Sequence, residues 1–498
     1  MAQNQIRKGF FFYFGLLILF LVTLALIFMV VLIFSPNKDF IGLRYFSYTS
    51  TVSVTELSGE ESAKIDYSKV KTIEIDCGYA DVSFKKGGEN WHDGIHIRND
   101  AKGFTTAANA IDFTYTATLE NNKLTVKLTE PTGFLYFSKN INVVIYATSN
   151  SNFLDGKEII VRATDDGNIN LGESCHVNSV DEKSFSLTSA DVRTEKGDIY
   201  IRNSLVLDNN KQGLDHKYVD ALSLTTGSGK IEYVKGDQGV DKFEIPESCD
   251  VKLKTANGRI NFNHIKGKNL TIECENGSVS INNLELTGTC KMNCKQGNYK
   301  FGNVKGKLDF TTSENTMISP DIDITGTLTG DLILSNSTAG ASPNVTINKI
   351  VGDINITSND GGLKIKDSIK GRLTVLGSGS FYVEAGLWNC EGKANVNIQL
   401  KDGNVTLNLK DSFNSNEYNN IATEKGSITL NMTSKAKFKA ETYSFHGEKK
   451  TDRITFSNSF ASQDKNVVTV SGGKESDTEG FVKLSTDENI KFNLVANL

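Results

Sequence analysis

Proline is scarce in this chain, 5 residues in 498 beside 43 glycines, and net charge is scarce too: 54 Lys and Arg against 59 Asp and Glu leave a formal -5. With 38% hydrophobic and 23% charged residues, this balance excludes a disordered chain and describes a folded protein with a solvated surface. Dense basic runs are also missing. Lys is scattered singly among Asp, Glu and Asn, so there is no phosphate-tracking stripe and nucleic acid is excluded as a partner. The 6 histidines, at 92, 96, 176, 216, 264 and 446, keep no metal-ligand or catalytic-triad spacing; the closest pair, His92 and His96 in "WHDGIHI", lacks a third ligand nearby and reads as an exposed turn. An odd total of 7 cysteines argues against a complete disulfide framework. After residue 34 no i, i+3, i+4, i+7 apolar run occurs, which excludes long helices there.

The one long apolar run is "GFFFYFGLLILFLVTLALIFMVVLIF", 26 uncharged residues from Gly9 to Phe34. At about 1.5 Å of helical rise per residue it more than spans a hydrocarbon core of roughly 30 Å. A cleaved signal peptide would have a shorter apolar region and a small-residue cleavage site, and "LIFSPNKDF" offers none. The sequence therefore predicts an uncleaved transmembrane helix over 9–34 after a cytoplasmic tail, 1–8. Arg7 and Lys8 before it set the positive-inside bias, so a single-pass topology is expected, with the C-terminal bulk extracytoplasmic.

Past the anchor the sequence repeats. Cys274-Glu-Asn-Gly277-Ser-Val279-Ser-Ile281 and Cys294-Lys-Gln-Gly297-Asn-Tyr299-Lys-Phe301 superimpose at an offset of 20, and Thr255-Ala-Asn-Gly258-Arg-Ile260-Asn-Phe262 matches at 19. Further copies start at Thr164, Thr194, Thr226, Leu400 and Thr423, with looser ones at Thr357 and Leu376. A second motif, apolar-x-Gly-x-x-apolar, alternates with them around Gly267, Gly288, Gly306, Gly352 and Gly371. Apolar-polar-apolar alternation gives a strand with one buried face, and a glycine at fixed offset gives a tight corner through positive φ or close backbone approach. One such unit cannot bury its own apolar face, so units must stack. The expected fold is all-β: a parallel β-solenoid or β-helix of irregular coils of about 20 residues, with structural corners at Gly167, Gly197, Gly229, Gly258, Gly277, Gly297, Gly403 and Gly426. Longer alternating strands at Lys71, Ile111 and Ile141 predict an N-terminal β cap or small β domain over 67–150, after a tether over 35–66. The solenoid is expected over 151–498, closed by the strands of "GFVKLSTDENIKFNLVANL".

The Gly-Asp-Ile copies "TEKGDIYI" and "VGDINI", with "TIEIDCGYADVSF" and "INVVIYAT", resemble the bacterial family of domains of unknown function labelled putative adhesin. That resemblance covers residues 67–498 in pattern. It implies a surface-associated β-solenoid behind a membrane anchor and brings no catalytic residues with it.

The candidate chemistry is thin. Cys274, Cys290 and Cys294 fall on repeat positions, two at the corner and Cys290 opposite Leu270, so a core role outranks a metal site; a disulfide between Cys274 and Cys294 is feasible because adjacent coils bring equivalent α-carbons to about 4.8 Å. Asp165-Asp166 at a corner is the nearest thing to the paired carboxylates of a glycosidase, but no second acid row faces it. "GGKESD" at Gly472 lacks the ending of calcium-binding β-roll repeats. The main strand points Asn170, Tyr200, Glu232, Asn261, Ser280, Lys300, Lys364, Tyr382, Thr406 and Thr429 outward, with no aromatic platform or apolar centre. Trp91 and "TGFLYF" from Thr132 in the N-terminal region are better places for a partner. No catalytic residue, cofactor or metal is expected. The reading is a membrane-anchored surface scaffold or adhesion protein meeting an unknown protein or a cell-envelope glycan. The alternatives are an envelope-stress sensor or regulatory ectodomain and, behind it, a carbohydrate-active β-helix enzyme.

Overall fold

Leu270–Cys274 shows why the chain coils. Leu270, Ile272 and Cys274 are buried while Thr271 and Glu273 face outward, the two-residue period of a half-buried strand. Such a strand needs partners on both edges, and each finds them in parallel, one repeat away. Val251 pairs with Leu270, Leu270 with Cys290, Cys290 with Leu308, Leu308 with Leu332 and Leu332 with Ile354.

A computed structural model of the chain thus shows a β-solenoid. It describes all residues except 1, 35–38, 41–42, 60–62, 88–89, 107–112, 131–134, 149–150, 174–184, 203–204, 207–220, 235–242, 246–248, 312–318, 337, 339, 389–394, 411–412, 414–417, 434–435, 451, 458–466, 472–480 and 496–498.

Each coil has a leading strand such as Asp250–Thr255, a glycine corner, and a trailing strand such as Arg259–Gly267. Alternation breaks in the trailing strand at Asn263-His264, where two successive residues lie outside the core, and resumes at Ile265. The inward side chains of all coils form one continuous cluster from Val54 to Phe492. Burying each Leu, Ile, Val or Phe in it contributes about 1.5–3 kcal/mol relative to exposure. The equivalents Ala190, Leu222, Val251, Leu270, Cys290 and Leu308 are 32, 29, 19, 20 and 18 residues apart. The 20-residue period thus holds in the middle of the stack, and earlier coils carry insertions between strands.

Register moves two expected boundaries. Thr72–Cys77 and Asp81–Lys86 pair in parallel with Lys157–Ala163 and Ile169–Glu173, so the stack begins at Thr72 and not at 151. The expected tether, 35–66, contains a strand: Leu43–Ser53 pairs antiparallel with Gly94–Thr106, which pairs antiparallel with Leu135–Ala147. This three-stranded ribbon caps the first end.

At both ends the coil order departs from chain order. Thr72–Cys77 lies between Lys123–Thr129 on its outer side and Lys157–Ala163 on its inner side. At the far end Phe481–Thr486 lies between Asn419–Lys425 and Lys437–Tyr443. The C-terminal strands therefore do not close the stack, as expected from their position. They insert one coil inside it, because Lys437–Tyr443 and Ile454–Ser457 offer them a second parallel edge.

Before the solenoid runs a helix, Ala2–Phe34. Its large apolar side chains from Tyr13 to Phe28 are exposed. Among the described residues no helix is long and apolar enough to cross a membrane; side chains of this one are described only from Tyr13 to Phe28 and at Val30.

Candidate functional site

The corner is the unit from which every surface of the molecule is built. At Gly197 an added Cβ would fall well inside 3.0 Å of the Gly167 carbonyl oxygen, and the same relation links Gly229 to Gly197, Gly258 to Gly229, Gly277 to Gly258 and Gly297 to Gly277. Gly426 stands in that relation to Gly403. Glycine is needed because the backbone of the neighbouring coil occupies the side-chain position. Positive φ is a secondary reason, present among the eight corner glycines only at Gly297 (134°) and Gly403 (136°).

Threonine completes the corner. The Gly197 N–H donates to Thr194 Oγ1 at 3.1 Å, and that hydroxyl donates to the Gly167 carbonyl at 3.0 Å. Thr226 repeats this with Gly229 N–H (3.0 Å) and the Gly197 carbonyl (2.9 Å). One buried hydroxyl thus satisfies a donor of its own coil and an acceptor of the preceding one. Thr164, expected as the first such threonine, is displaced: Thr194 pairs with Ala163, so the first corner holds one extra residue.

Cys274 and Cys294 take the threonine place and are paired in register. Both are buried free thiols, as are Cys77, Cys249 and Cys290. Burial pushes the Cys294 thiol up to about 12 and raises Cys274 as well. Tyr299, stacked on Val279, brings its phenol to this corner, where it donates to the Gln296 carbonyl at 3.0 Å. This is core chemistry: protonated thiols are poor nucleophiles and poor metal ligands.

The corner acids are occupied in holding coils together. Asp165 is 2.6 Å from Lys196 Nζ of the next coil. After Gly167, Gly197 and Gly403 the next side chain accepts a backbone N–H from the adjoining coil: Asp198 N–H donates to Asn168 Oδ1 (2.9 Å), Lys230 N–H to Asp198 Oδ1 (2.8 Å) and Ser427 N–H to Asn404 Oδ1 (2.9 Å). At the second corner Asp353 N–H donates to Asp331 (2.9 Å) and Arg372 N–H to Asp353 (2.8 Å). The Asp of each Gly-Asp-Ile copy is therefore a rung between coils. Glu130, which no local pattern marks, accepts the Gly78, Tyr79 and Ala80 N–H groups at 2.6, 3.1 and 3.2 Å and fixes the turn between Thr72–Cys77 and Asp81–Lys86. Among the described residues no three His, Cys, Asp or Glu gather as metal ligands; "GGKESD" lies outside the described residues.

In the outward row of the trailing strand one position is corrected. Lys364 pairs with Glu384, 2.9 Å between their charged groups, and Tyr382 lies over Gly362 instead. Phe381, not Gly379, takes the corner place beneath Gly403. Trp91 stacks on the buried His96 at 4.7 Å between ring centroids, with Arg98 over its other part.

The leading strands carry a face that the sequence reading passed over. Its first half is charged and paired: Asp191 holds Arg162 (2.7 Å) and Arg193 (3.1 Å), and Glu273 holds Lys252 (2.7 Å) and Lys254 (3.4 Å). These pairs neutralise the bases around a shallow cavity of about 450 Å³ lined by Arg162, Arg193, Thr225 and Lys254. Beyond Asp309 the two central outward rows are neutral, and Lys401, Asp402, Glu424 and Lys425 lie at their corner edge. One outward row continues as Ile333, Asn355, Thr374, Asn397 and Asn420. The row beside it reads Ser335, Thr357, Leu376, Gln399 and Ala422, and Lys483 ends the neutral stretch. At about 4.8 Å per coil the uncharged face is roughly 19 Å long.

The family model described as Toastrack DUF4097 matches residues 70–477. No curated protein matches the chain. Among solved structures, the chain is similar to a putative lipid binding protein from Parabacteroides distasonis ATCC 8503 (10% identity, TM-score 0.25, 68% of this chain and 96% of that one). It is similar also to a putative adhesin from Parabacteroides merdae ATCC 43184 (12%, TM-score 0.21, 68% and 95%). A third is a putative cell adhesion protein from Clostridium sporogenes ATCC 15579 (7%, TM-score 0.14, 90% and 99%).

Proposed function

The chain belongs to the Toastrack DUF4097 family, and from that premise we propose that it is a membrane-anchored extracytoplasmic scaffold that meets an envelope partner through the uncharged face of its leading strands, without catalysis. The observation that carries this reading is the division of that face. Over five consecutive coils the two central outward rows hold only amide, hydroxyl and aliphatic groups, charge returning only at the corner edge with Lys401, Asp402, Glu424 and Lys425, while the coils before them bind their own charges in ion pairs. Amides and hydroxyls in a flat array can both donate to and accept from a neutral polar ligand, which favours a cell-envelope glycan. Anchoring is supported by the uncharged run Gly9–Phe34 and the exposed apolar side chains from Tyr13 to Phe28. With Arg7 and Lys8 on the cytoplasmic side, everything after the helix lies outside.

The test is co-sedimentation of the detergent-solubilised full chain with insoluble cell-wall polysaccharide. Wild type is retained; a variant carrying Thr357→Lys, Asn397→Lys and Gln399→Lys, with an unchanged thermal midpoint, loses at least about tenfold of that retention. Equal retention overturns the assignment of this face. Release of soluble sugar that disappears on combining Asp165→Asn with Asp166→Asn overturns the non-catalytic reading.

A further inference from the structure

The ribbon at the first end is longer than its capping role requires. Its buried side chains reach Asn99 and Ile141, which are paired across adjacent strands; farther out Gly103 is also buried. Beyond that pair the three strands continue over 43–48, 101–106 and 135–139, with Tyr45 opposite Phe104 and, past a one-residue register shift between Lys102 and Gly103, Phe104 opposite Leu135. These 17 positions hold six aromatics, Tyr45, Phe46, Tyr48, Phe104, Tyr136 and Phe137, about a third of the residues against 9% in the whole chain. They also hold Arg44, Lys102 and Lys139 and no acid. Aromatic residues mixed with Lys and Arg are the composition of the membrane-water interface. There amphipathic rings sit at headgroup level and basic side chains meet anionic lipid.

Position supports the same partner. Only residues 35–38 separate Phe34, the end of the helix, from Asp39, which pairs with Arg44 in a hairpin onto the first ribbon strand. Extended chain covers at most about 3.6 Å per residue, so Leu43 and its neighbours stay within roughly 20 Å of the helix end. We propose that this distal part of the ribbon is a second membrane contact, seated in the headgroup layer of an anionic bilayer beside the helix and fixing the tilt of the solenoid on the surface. The proposal rests on the reading of Ala2–Phe34 as an anchor.

The test uses the full chain reconstituted into phosphatidylcholine vesicles containing phosphatidylglycerol, with lipids brominated on the acyl chain near the headgroup to probe the ribbon and, in a parallel set, near the chain end to probe the helix. Tryptophan is introduced singly by Leu21→Trp in the helix, by Tyr45→Trp or Phe104→Trp in the ribbon, and by Thr429→Trp far along the solenoid, and the added emission is read against the parent chain. Quenching at Leu21→Trp and at both ribbon positions, none at Thr429→Trp, and at least about a twofold loss of ribbon quenching when Arg44, Lys102 and Lys139 are changed to Gln, supports the contact. Quenching in the helix with bright ribbon positions overturns the ribbon contact and leaves the anchor standing. No quenching at Leu21→Trp overturns the anchor and the contact together. Two ribbon positions keep the outcome readable if one variant does not fold.

Discussion

Thr226 shows how much a single side chain settles in this fold. Its hydroxyl links the Gly229 N–H to the Gly197 carbonyl at a position 1% exposed. Thr226→Val keeps shape and removes both bonds, so it is expected to destabilise by about 1–3 kcal/mol, and Thr226→Ser by clearly less; chemical denaturation of both variants measures the difference. The cysteines at equivalent corners give a pH prediction. An ordinary thiol ionises near 9.0, whereas burial holds the Cys294 thiol up to about 12. Its folded-state value is raised, so its contribution is complete below pH 9 and is lost as pH rises from about 9 toward 12, where unfolded chains ionise and folded ones do not. The thermal midpoint should therefore fall over that window, and less steeply after Cys294→Thr.

At the scale of the element, the coil is a module because its register closes on itself. Ser278 pairs with Asn298 and Cys274 with Cys294, so removing residues 278–297 joins Gly277 to Asn298 with every later strand still in phase. The expected product is folded, with unchanged strand signal by circular dichroism and a smaller denaturant m-value from the lost core layer; removing only 278–287 should abolish folding. Such modules were legible in the sequence because their determinants are local: Thr-x-x-Gly and the alternation after it lie within eight residues. The corner glycines and the alignment of Cys274 with Cys294 could be read for that reason. Glu130 could not, since its partners at 78–80 are some fifty residues away. The places of Ala163 and Glu384 were missed because the corner after the one and the corner before the other hold extra residues, which shifts the count without changing the composition. The uncharged face was visible in principle, in the outward positions of the leading strands, once those strands were aligned.

The whole molecule is a column whose two ends are finished alike. An open parallel stack would leave two bare edges, and here the ribbon covers one, while Val467–Ser471 pairs antiparallel onto the outermost coil at the other. Neither the first nor the last coil in the chain forms an end of the column. This out-of-order stacking has a mechanical consequence if the column is pulled from its two ends. Tension entering through Thr72–Cys77 meets hydrogen bonds to two neighbours that run parallel to it, one inside and one outside, and the C-terminal Phe481–Thr486 is held the same way. A strand clasped on both sides cannot be peeled off rung by rung from a free edge; it has to slide out with both ladders loaded together. The terminal coils are thereby the fasteners of the column, able to carry load along its axis before any central coil is drawn.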